Sequence, residues 1–282
     1  MNNTFSFKRF GLVFKKDLME NRKRYILLFL TMLGIMMIVF IFMTMSYYGT
    51  PIGLEPDHIL FNRSLLSYMS FMFIACGIFF ASSFSTPMNS KLKRITYLVS
   101  PSSNLEKYLT RWMITTVGYI FAFFIALWIA DAVRVAIGSL VFPEADIQVI
   151  DFSKLIYPDE YSISAEYVVF KDTFVMILSV YFLVQSLFLL GSTFTEKATF
   201  IKTFVFISTL IVVFIVINRW AILLFYGNFE RFGNVLDSFE VQDSFDRNHL
   251  FTFVSIVLSV FTLANWVLAF FRIRESEIIK RL

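Results

Sequence analysis

The chain has 282 residues, of which 57% are hydrophobic and only 16% are charged, and its formal net charge is +4 at pH 7. Soluble domains carry about 25% charged residues, so this composition excludes an ordinary soluble protein. It predicts one polytopic, all-α membrane domain over residues 1–282. The single cysteine, Cys76, excludes a disulfide framework, and we interpret it as a packed thiol within an apolar span.

Residues 1–24 are predicted to form an amphipathic helix on the membrane surface. Its apolar face carries Phe7, Phe10, Gly11, Phe14 and Leu18, and the other positions carry Lys8, Arg9, Lys15, Lys16 and Asp17. Such a helix places apolar side chains at the acyl boundary and cations at the headgroups. A signal peptide is the alternative. It is disfavoured because the charged segment before the first apolar run, residues 1–24, is long and because that run, 25–46, has the length of a span.

Six apolar stretches have the length of a transmembrane helix, which needs about 20 residues. They are residues 25–46, 64–84, 112–130, 173–191, 203–226 and 250–271, and the third is expected to continue as a helix to Leu140.

Eighteen of the twenty-five lysines and arginines fall in the N-terminal segment, in the segments after the second and fourth spans, and in the tail. The positive-inside rule therefore places both termini in the cytoplasm. It leaves the acidic loops 141–172 and 227–249 outside, the first with room for a short strand or two.

The segment between the second and third spans, residues 85–111, holds five cations against one acid, Glu106. Pro87 can begin a helix and Pro101 must end one. Between the prolines, Met88, Leu92, Ile95 and Val99 recur at helical spacing, and Lys91, Lys93 and Arg94 occupy other positions. A short amphipathic helix tethered by two spans is suited to docking against a soluble partner. Ser103 and Glu106 then have the spacing of a capping box, which predicts a new helix leading into the third span.

Three polar residues interrupt the spans. Gln185 in the fourth span and Asn265 in the sixth are expected to bond to neighbouring helices, and lining a substrate path is the alternative. Arg219 follows Lys202 by about 25 Å of helix, which places it near the outer interface. It is either a snorkelling arginine beside a belt tryptophan or part of a break at 218–220. The apolar residues that follow favour the break, with 221–236 folding back as a hairpin.

The third span carries small residues at every fourth position. They are Gly118, Ala122, Ala126 and Ala130, followed at the same spacing by Arg134 and Gly138. This spacing lets helix backbones approach closely, either at a seam within one subunit or at a dimer seam. Asp131 and Arg134 are expected to form an ion pair at the outer interface.

The sequence lacks the residue patterns of most catalytic and metal sites. Its two histidines, His58 and His249, lie in outer loops without metal-ligand spacing, and no phosphate-binding glycine loop or serine elbow occurs. Asp243 and Asp246 do not fit a calcium-binding EF-hand loop. We therefore expect no enzymatic activity, metal or cofactor. The basic segments are separated by spans, which indicates anionic lipid rather than nucleic acid as their partner.

The order of these parts resembles the permease subunits of the ABC-2 transporter family. The phrases FKRFGLVFKKDLMENRKRY and YLVSPSSNLEKYLTRW are similar to ABC permease-like membrane proteins of Bacteroidetes. The resemblance implies that residues 5–21 are a connecting helix, that 87–99 are a coupling helix seated in a separate ATP-binding subunit, and that 218–236 are extracellular re-entrant helices. The outer loop 141–172 is long for a minimal member of such a family. The implied ATPase contacts are Met88, Lys91, Leu92, Lys93, Arg94 and Ile95.

The resemblance implies a permease, in the form of an exporter, in the bacterial inner membrane. It would assemble with a second permease subunit, as a homo- or heterodimer, and with cytoplasmic ATPases that bind the ATP. The alternative is a non-transporting membrane scaffold or sensor, whose basic segment holds lipid headgroups and whose acidic outer loops bind a partner. An embedded enzyme is a third alternative, disfavoured because no paired acids or histidines lie within the spans.

Overall fold

Apolar runs without internal proline fold into long helices. The computed structural model describes residues 5–49, 58–85, 95, 101–145, 147–150, 171–194, 199–227 and 247–279, and no helix within these ranges contains a proline. In chain order they are α1 (Phe7–Glu20), α2 (Arg22–Tyr48), α3 (His58–Ser82), α4 (Asn104–Met113), a π-helical turn (Ile114–Gly118), α5 (Tyr119–Val141), α6 (Lys171–Phe194), α7 (Thr199–Tyr226) and α8 (Arg247–Ile279). The predicted all-α class is confirmed.

Five helices of the described chain are long and apolar enough to cross a bilayer. They are α2, the continuous helix from Asn104 to Val141, α6, α7 and α8. The stretch Ser67–Ser82 of α3 forms a shorter apolar helix. The helix of the third predicted span does continue beyond residue 130, because α5 ends at Val141.

A core of aromatic and methionine side chains joins α2, α3 and α5. Met36 and Phe40 of α2, Leu65 of α3 and Tyr119 of α5 are each at most 1% exposed. Tyr181 of α6 is buried in the same cluster. These side chains fill the space between the helices, whereas the outer faces of the same helices remain apolar and exposed, as a lipid environment requires.

Gly77 on α3 allows two tyrosine rings to reach this core. A Cβ at position 77 would collide with the ring of Tyr181 and lie 3.1 Å from the ring of Tyr119. The Tyr119 hydroxyl donates a hydrogen bond to the carbonyl oxygen of Phe73, one turn before the glycine. Because Gly77 has no side chain, α3, α5 and α6 can pack closely together at this position.

A second cluster joins α4, α6 and α8 at the other end of the helices. Its buried members are Phe84, Tyr108, Leu189, Ala269 and Ile273. Phe84 precedes the predicted docking helix, residues 87–99, and Tyr108 follows it. The chain is therefore anchored in the same cluster before and after that helix.

The small-residue stripe packs within the chain along part of α5. Ala126, Ala130, Arg134 and Gly138 are buried, whereas Gly118 is exposed. A Cβ at position 138 would lie 2.7 Å from Ile147 and 3.4 Å from Thr44 of α2. Between the two open interpretations, these contacts favour a seam within one subunit for this part of the stripe.

The predicted ion pair between Asp131 and Arg134 is confirmed, at 2.7 Å. It is not exposed at an interface, because each side chain is only 1% exposed. Residues 147–150 fold back over the pair: Asp131 accepts a hydrogen bond from the backbone amide of Ile150, and Arg134 donates one to the carbonyl oxygen of Gln148. The buried pair thus anchors the beginning of the loop after α5, whose residues 151–170 lie outside the described chain.

The predicted break at 218–220 is wrong, because α7 runs without interruption from Thr199 to Tyr226. Asn218 does not interrupt the helix, since its side-chain amide bonds back to the carbonyl oxygen of Phe214 in the preceding turn. The helix ends instead before Gly227, whose φ of 77° is the left-handed conformation that terminates helices. The hairpin predicted for 221–236 is therefore wrong up to Tyr226, and residues 228–236 lie outside the described chain.

Candidate functional site

Helix α4 begins at Asn104, shortly after the predicted docking helix 87–99, and a capping box fixes its start. The Ser103 hydroxyl accepts a hydrogen bond from the Glu106 amide at 3.2 Å, and the Glu106 carboxylate accepts one from the Ser103 amide at 3.0 Å. This confirms the predicted capping box, which satisfies two amides that the first helical turn would leave unpaired.

The Glu106 carboxylate also binds the start of helix α1. It accepts a hydrogen bond from the Ser6 amide at 2.8 Å, and its Oε1 lies 3.2 Å from a guanidinium nitrogen of Arg9. The Glu106 side chain is fully buried, whereas that of Arg9 is 35% exposed. A buried carboxylate is stable only when its oxygens are paired, and here both oxygens have donors.

A second ion pair joins the same two helices. Arg111 of α4 lies 2.7 Å from Asp17 of α1, and both side chains are largely buried. Asp17 also accepts hydrogen bonds from the side chains of Asn21 and Tyr25, and the Tyr25 hydroxyl in turn accepts one from Arg111. We call the pairs Arg9–Glu106 and Arg111–Asp17 the α1–α4 clamp.

Aromatic contacts hold α4 against α8. The Tyr108 hydroxyl donates to the carbonyl oxygen of Trp266 at 2.8 Å, and the Trp112 and Trp266 rings meet edge to face at 5.0 Å between centroids. Tyr108 also packs against Phe84 and Phe270. Helix α4 is thus fixed to α1 by charge and to α8 by aromatic packing.

A polar network begins directly beyond α4, at the π-helical turn. The Gln185 amide donates to the Thr116 hydroxyl at 2.8 Å and accepts from the Trp266 indole at 3.2 Å. Asn265 donates to the Ser186 hydroxyl at 3.0 Å. The prediction that both amides bond to neighbouring helices is confirmed. The network joins the π-helical turn, α6 and α8, and π-helical turns often occur at functional sites.

The predicted site residues fall into three groups. Gln185 and Asn265 both bond across the contact between α6 and α8, Gln185 to Trp266 and Asn265 to Ser186. Arg219 lies on a fully exposed stretch of α7 and takes no part in that network. Of the predicted coupling helix 87–99, only Ile95 is described: it is helical and 58% exposed. Met88, Lys91, Leu92, Lys93 and Arg94 lie outside the described residues.

Sequence reasoning missed the clamp because it assigned Asp17 and Arg9 to the solvated face of a surface helix. One available signal was the scarcity of acids, since Asp17, Glu20 and Glu106 are the only acids in residues 1–111 on the predicted cytoplasmic side. Seven cations surround the first two in residues 1–24. A lone acid among many cations next to a span is a candidate for an ion pair between helices.

Within the described ranges, no group of three histidine, cysteine, aspartate or glutamate residues is arranged to hold a metal ion. A scan against protein-family models finds no matching family, and searches of curated proteins and of solved structures find no significant match. The arrangement couples one helix, α4, mechanically to three others: to α1, to α8 and, through the π-helical turn, to α5.

Proposed function

We propose that the chain is the membrane-spanning permease subunit of an ATP-binding-cassette transporter, an exporter driven by a separate ATPase subunit. The ATP is bound by that partner, and this chain needs no cofactor. The proposal rests on the resemblance to ABC-2 permeases and on the connections of α4. A second copy of this chain or a related permease would complete the transporter.

The connections of α4 are the single observation that carries the proposal. Its N-terminus follows the predicted docking segment, and its C-terminus continues through the π-helical turn into α5. The clamp joins it to α1, and Tyr108 and Trp112 join it to α8. A force on residues 87–99 would therefore reach the third span, the last span and the surface helix at once, which is what an external motor needs.

The finer topology belongs to the same proposal. It has six spans, α2 to α8 with α4 and α5 as one span, both termini in the cytoplasm and the bacterial inner membrane as its location. Helix α1 lies on the membrane surface. The exposure of its apolar side chains supports that placement, since Phe7 is 82%, Met19 65% and Leu12 63% exposed and would need lipid to cover them.

Loss of the ATPase partner tests the proposal. Replacing Leu92 and Ile95 together with aspartate puts two charges on the apolar face of the docking helix. The double variant should lose at least about tenfold of the co-purifying ATPase in a mild-detergent pull-down from native membranes, because buried apolar contacts dominate such interfaces. The matched control replaces Leu140 and Val149, exposed near the opposite end of α5, with aspartate and should retain the ATPase.

Two results would contradict the permease. One is undiminished ATPase capture by the Leu92 and Ile95 double variant. The other is labelling of Lys91 to Arg94 from the outer side of intact cells, because an ATPase could not reach a docking helix there. A wild-type pull-down that contains lipid and outer-side proteins but no ATPase would favour the scaffold or sensor instead.

A further inference from the structure

Two arginines lie at the junction of α1, α2 and α4, and Arg111 is the one that pairs with the carboxylate of Asp17. Arg24, in the first turn of α2, is half-buried, and the residue after it, Tyr25, bonds to both Asp17 and Arg111. Arg111 is neutralised by Asp17, at 2.7 Å. The junction therefore carries one positive charge more than its own acids balance.

Asp17 is already engaged by three donors other than Arg24. One oxygen accepts from Arg111 and Asn21, and the other accepts from the Tyr25 hydroxyl at 2.9 Å. Among the described residues Arg24 has no carboxylate partner, and the first turn of α2 contains no acid. A partly desolvated guanidinium without an anion is unfavourable, so this position calls for an anion from outside the described chain.

The location of Arg24 indicates which anion can reach it. Arg24 is the third residue of a 27-residue apolar helix, so it lies where a span enters the bilayer. The neighbouring helix α1 exposes Phe7, Leu12 and Met19, which suits the acyl boundary. A guanidinium at that depth is level with the phosphates of the lipid headgroups. Its planar fork of donors matches the geometry of a phosphate.

We propose that Arg24 binds the phosphate of an anionic phospholipid and that this lipid completes the charge balance of the α1–α4 clamp. Arg22 and Lys23, both exposed beside it, favour a headgroup with net negative charge over a zwitterionic one. The lipid would be a structural ligand between the surface helix and the first and third spans. This site does not depend on the transport function and would exist equally in a scaffold or sensor.

Native mass spectrometry of the full-length protein in mild detergent tests the site. The protein is titrated separately with short-chain phosphatidylglycerol, with phosphatidylcholine of the same chain length, and with inorganic phosphate. We expect one phosphatidylglycerol to bind preferentially. Arg24→Gln should weaken that binding about tenfold, as the loss of a charge-assisted hydrogen bond predicts. Arg24→Lys keeps the charge but loses the fork, so it should bind about threefold more weakly than the wild type.

Arg274→Gln is the matched control, because Arg274 is an exposed arginine near the end of α8 on the same predicted side. It should change the binding of phosphatidylglycerol by less than about twofold. Equal binding of phosphatidylglycerol by the wild type and Arg24→Gln would overturn the proposal. So would equal binding of the two lipids, or binding of inorganic phosphate as tight as that of the lipid. Size-exclusion profiles show whether Arg24→Gln is folded. If it is not, the binding of phosphatidylglycerol by Arg24→Lys is compared with that of the wild type, and equal binding overturns the proposal.

Discussion

The Arg111 guanidinium lies 2.7 Å from the Asp17 carboxylate and joins helix α4 to helix α1. The side chains are 6% and 13% exposed, so the pair is shielded from water on most sides. Removing one partner of such a pair leaves the other charge buried without compensation, which costs more than the pair itself contributes.

Asp17→Asn should therefore lower the free energy of unfolding by about 2 kcal/mol or more. The measurement is thermal unfolding of the purified protein in detergent. Glu20→Gln serves as the control, because Glu20 is 57% exposed and pairs with Lys16 at 3.7 Å only across one helical turn. The control should change stability by less than about 0.5 kcal/mol. Equal effects of the two substitutions would show that the Asp17 pair is not shielded.

Glu106→Gln should loosen α1 from α4. The amide oxygen can still accept the capping-box bond from Ser103, but the NH₂ group then faces the Ser6 amide and Arg9, which are donors, so both of those bonds are lost, at a cost of about 1–3 kcal/mol. Hydrogen exchange of residues 5–20 should become faster, while that of α5 stays unchanged. Exposed Glu144 provides the control substitution, Glu144→Gln, for which no change is expected. Unaltered exchange of α1 in Glu106→Gln would mean that other contacts hold the surface helix.

Gln185→Leu should destabilise the bundle by about 1–2 kcal/mol, because it removes two hydrogen bonds and leaves the Trp266 indole without its acceptor. Asn218→Leu is the comparison. Asn218 is exposed and bonds only within its own helix, so its loss should be nearly neutral or slightly stabilising. The stabilities of the two variants are compared by unfolding in a mixed-micelle titration. A larger loss of stability in Asn218→Leu than in Gln185→Leu would contradict the polar network.

Gly77→Ala should destabilise the protein, since the new methyl group must displace the ring of Tyr181. We expect a loss of about 1–3 kcal/mol, the usual cost of overpacking a core. Gly34→Ala places the same methyl group in α2 with no side chain within 4 Å. It should be neutral or stabilise the helix by up to about 1 kcal/mol. Thermal unfolding of both variants checks the contrast, which would vanish if α3 and α6 were not in contact at Gly77.

Local sequence signals predicted the helices and their polar contacts well. The spacing of Ser103 and Glu106 is enough to specify a capping box, because both partners lie in one helical turn. Gln185 and Asn265 were expected to bond between helices because a lone amide in an apolar helix has few other donors and acceptors. Their partners, Thr116 and Ser186, could not be predicted, since they depend on how three helices pack.

The errors have equally physical origins. Polarity at 218–220 was interpreted as a break, but an asparagine can bond to its own helix and Arg219 can remain exposed, so the helix continued to the glycine at 227. The clamp was missed because nothing in the spacing of Asp17 and Arg111 connects residues so distant in sequence. Residues 87–94 and 96–99 of the predicted docking helix lie outside the described chain, so the assignment of ATPase contacts to this helix stays a prediction.

The π-helical turn at Ile114–Gly118 contains one residue more than an α-helical turn, so the backbone can change its winding there. A turn that holds an extra residue can tighten into ordinary helix, and the segment before it then swivels by about 100°, the angle that one residue subtends. Such a rotation of α4 relative to α5 would require the contacts of α4 with α1 and α8 to open. Spin labels on α4 and α5 would register it as a change in their separation.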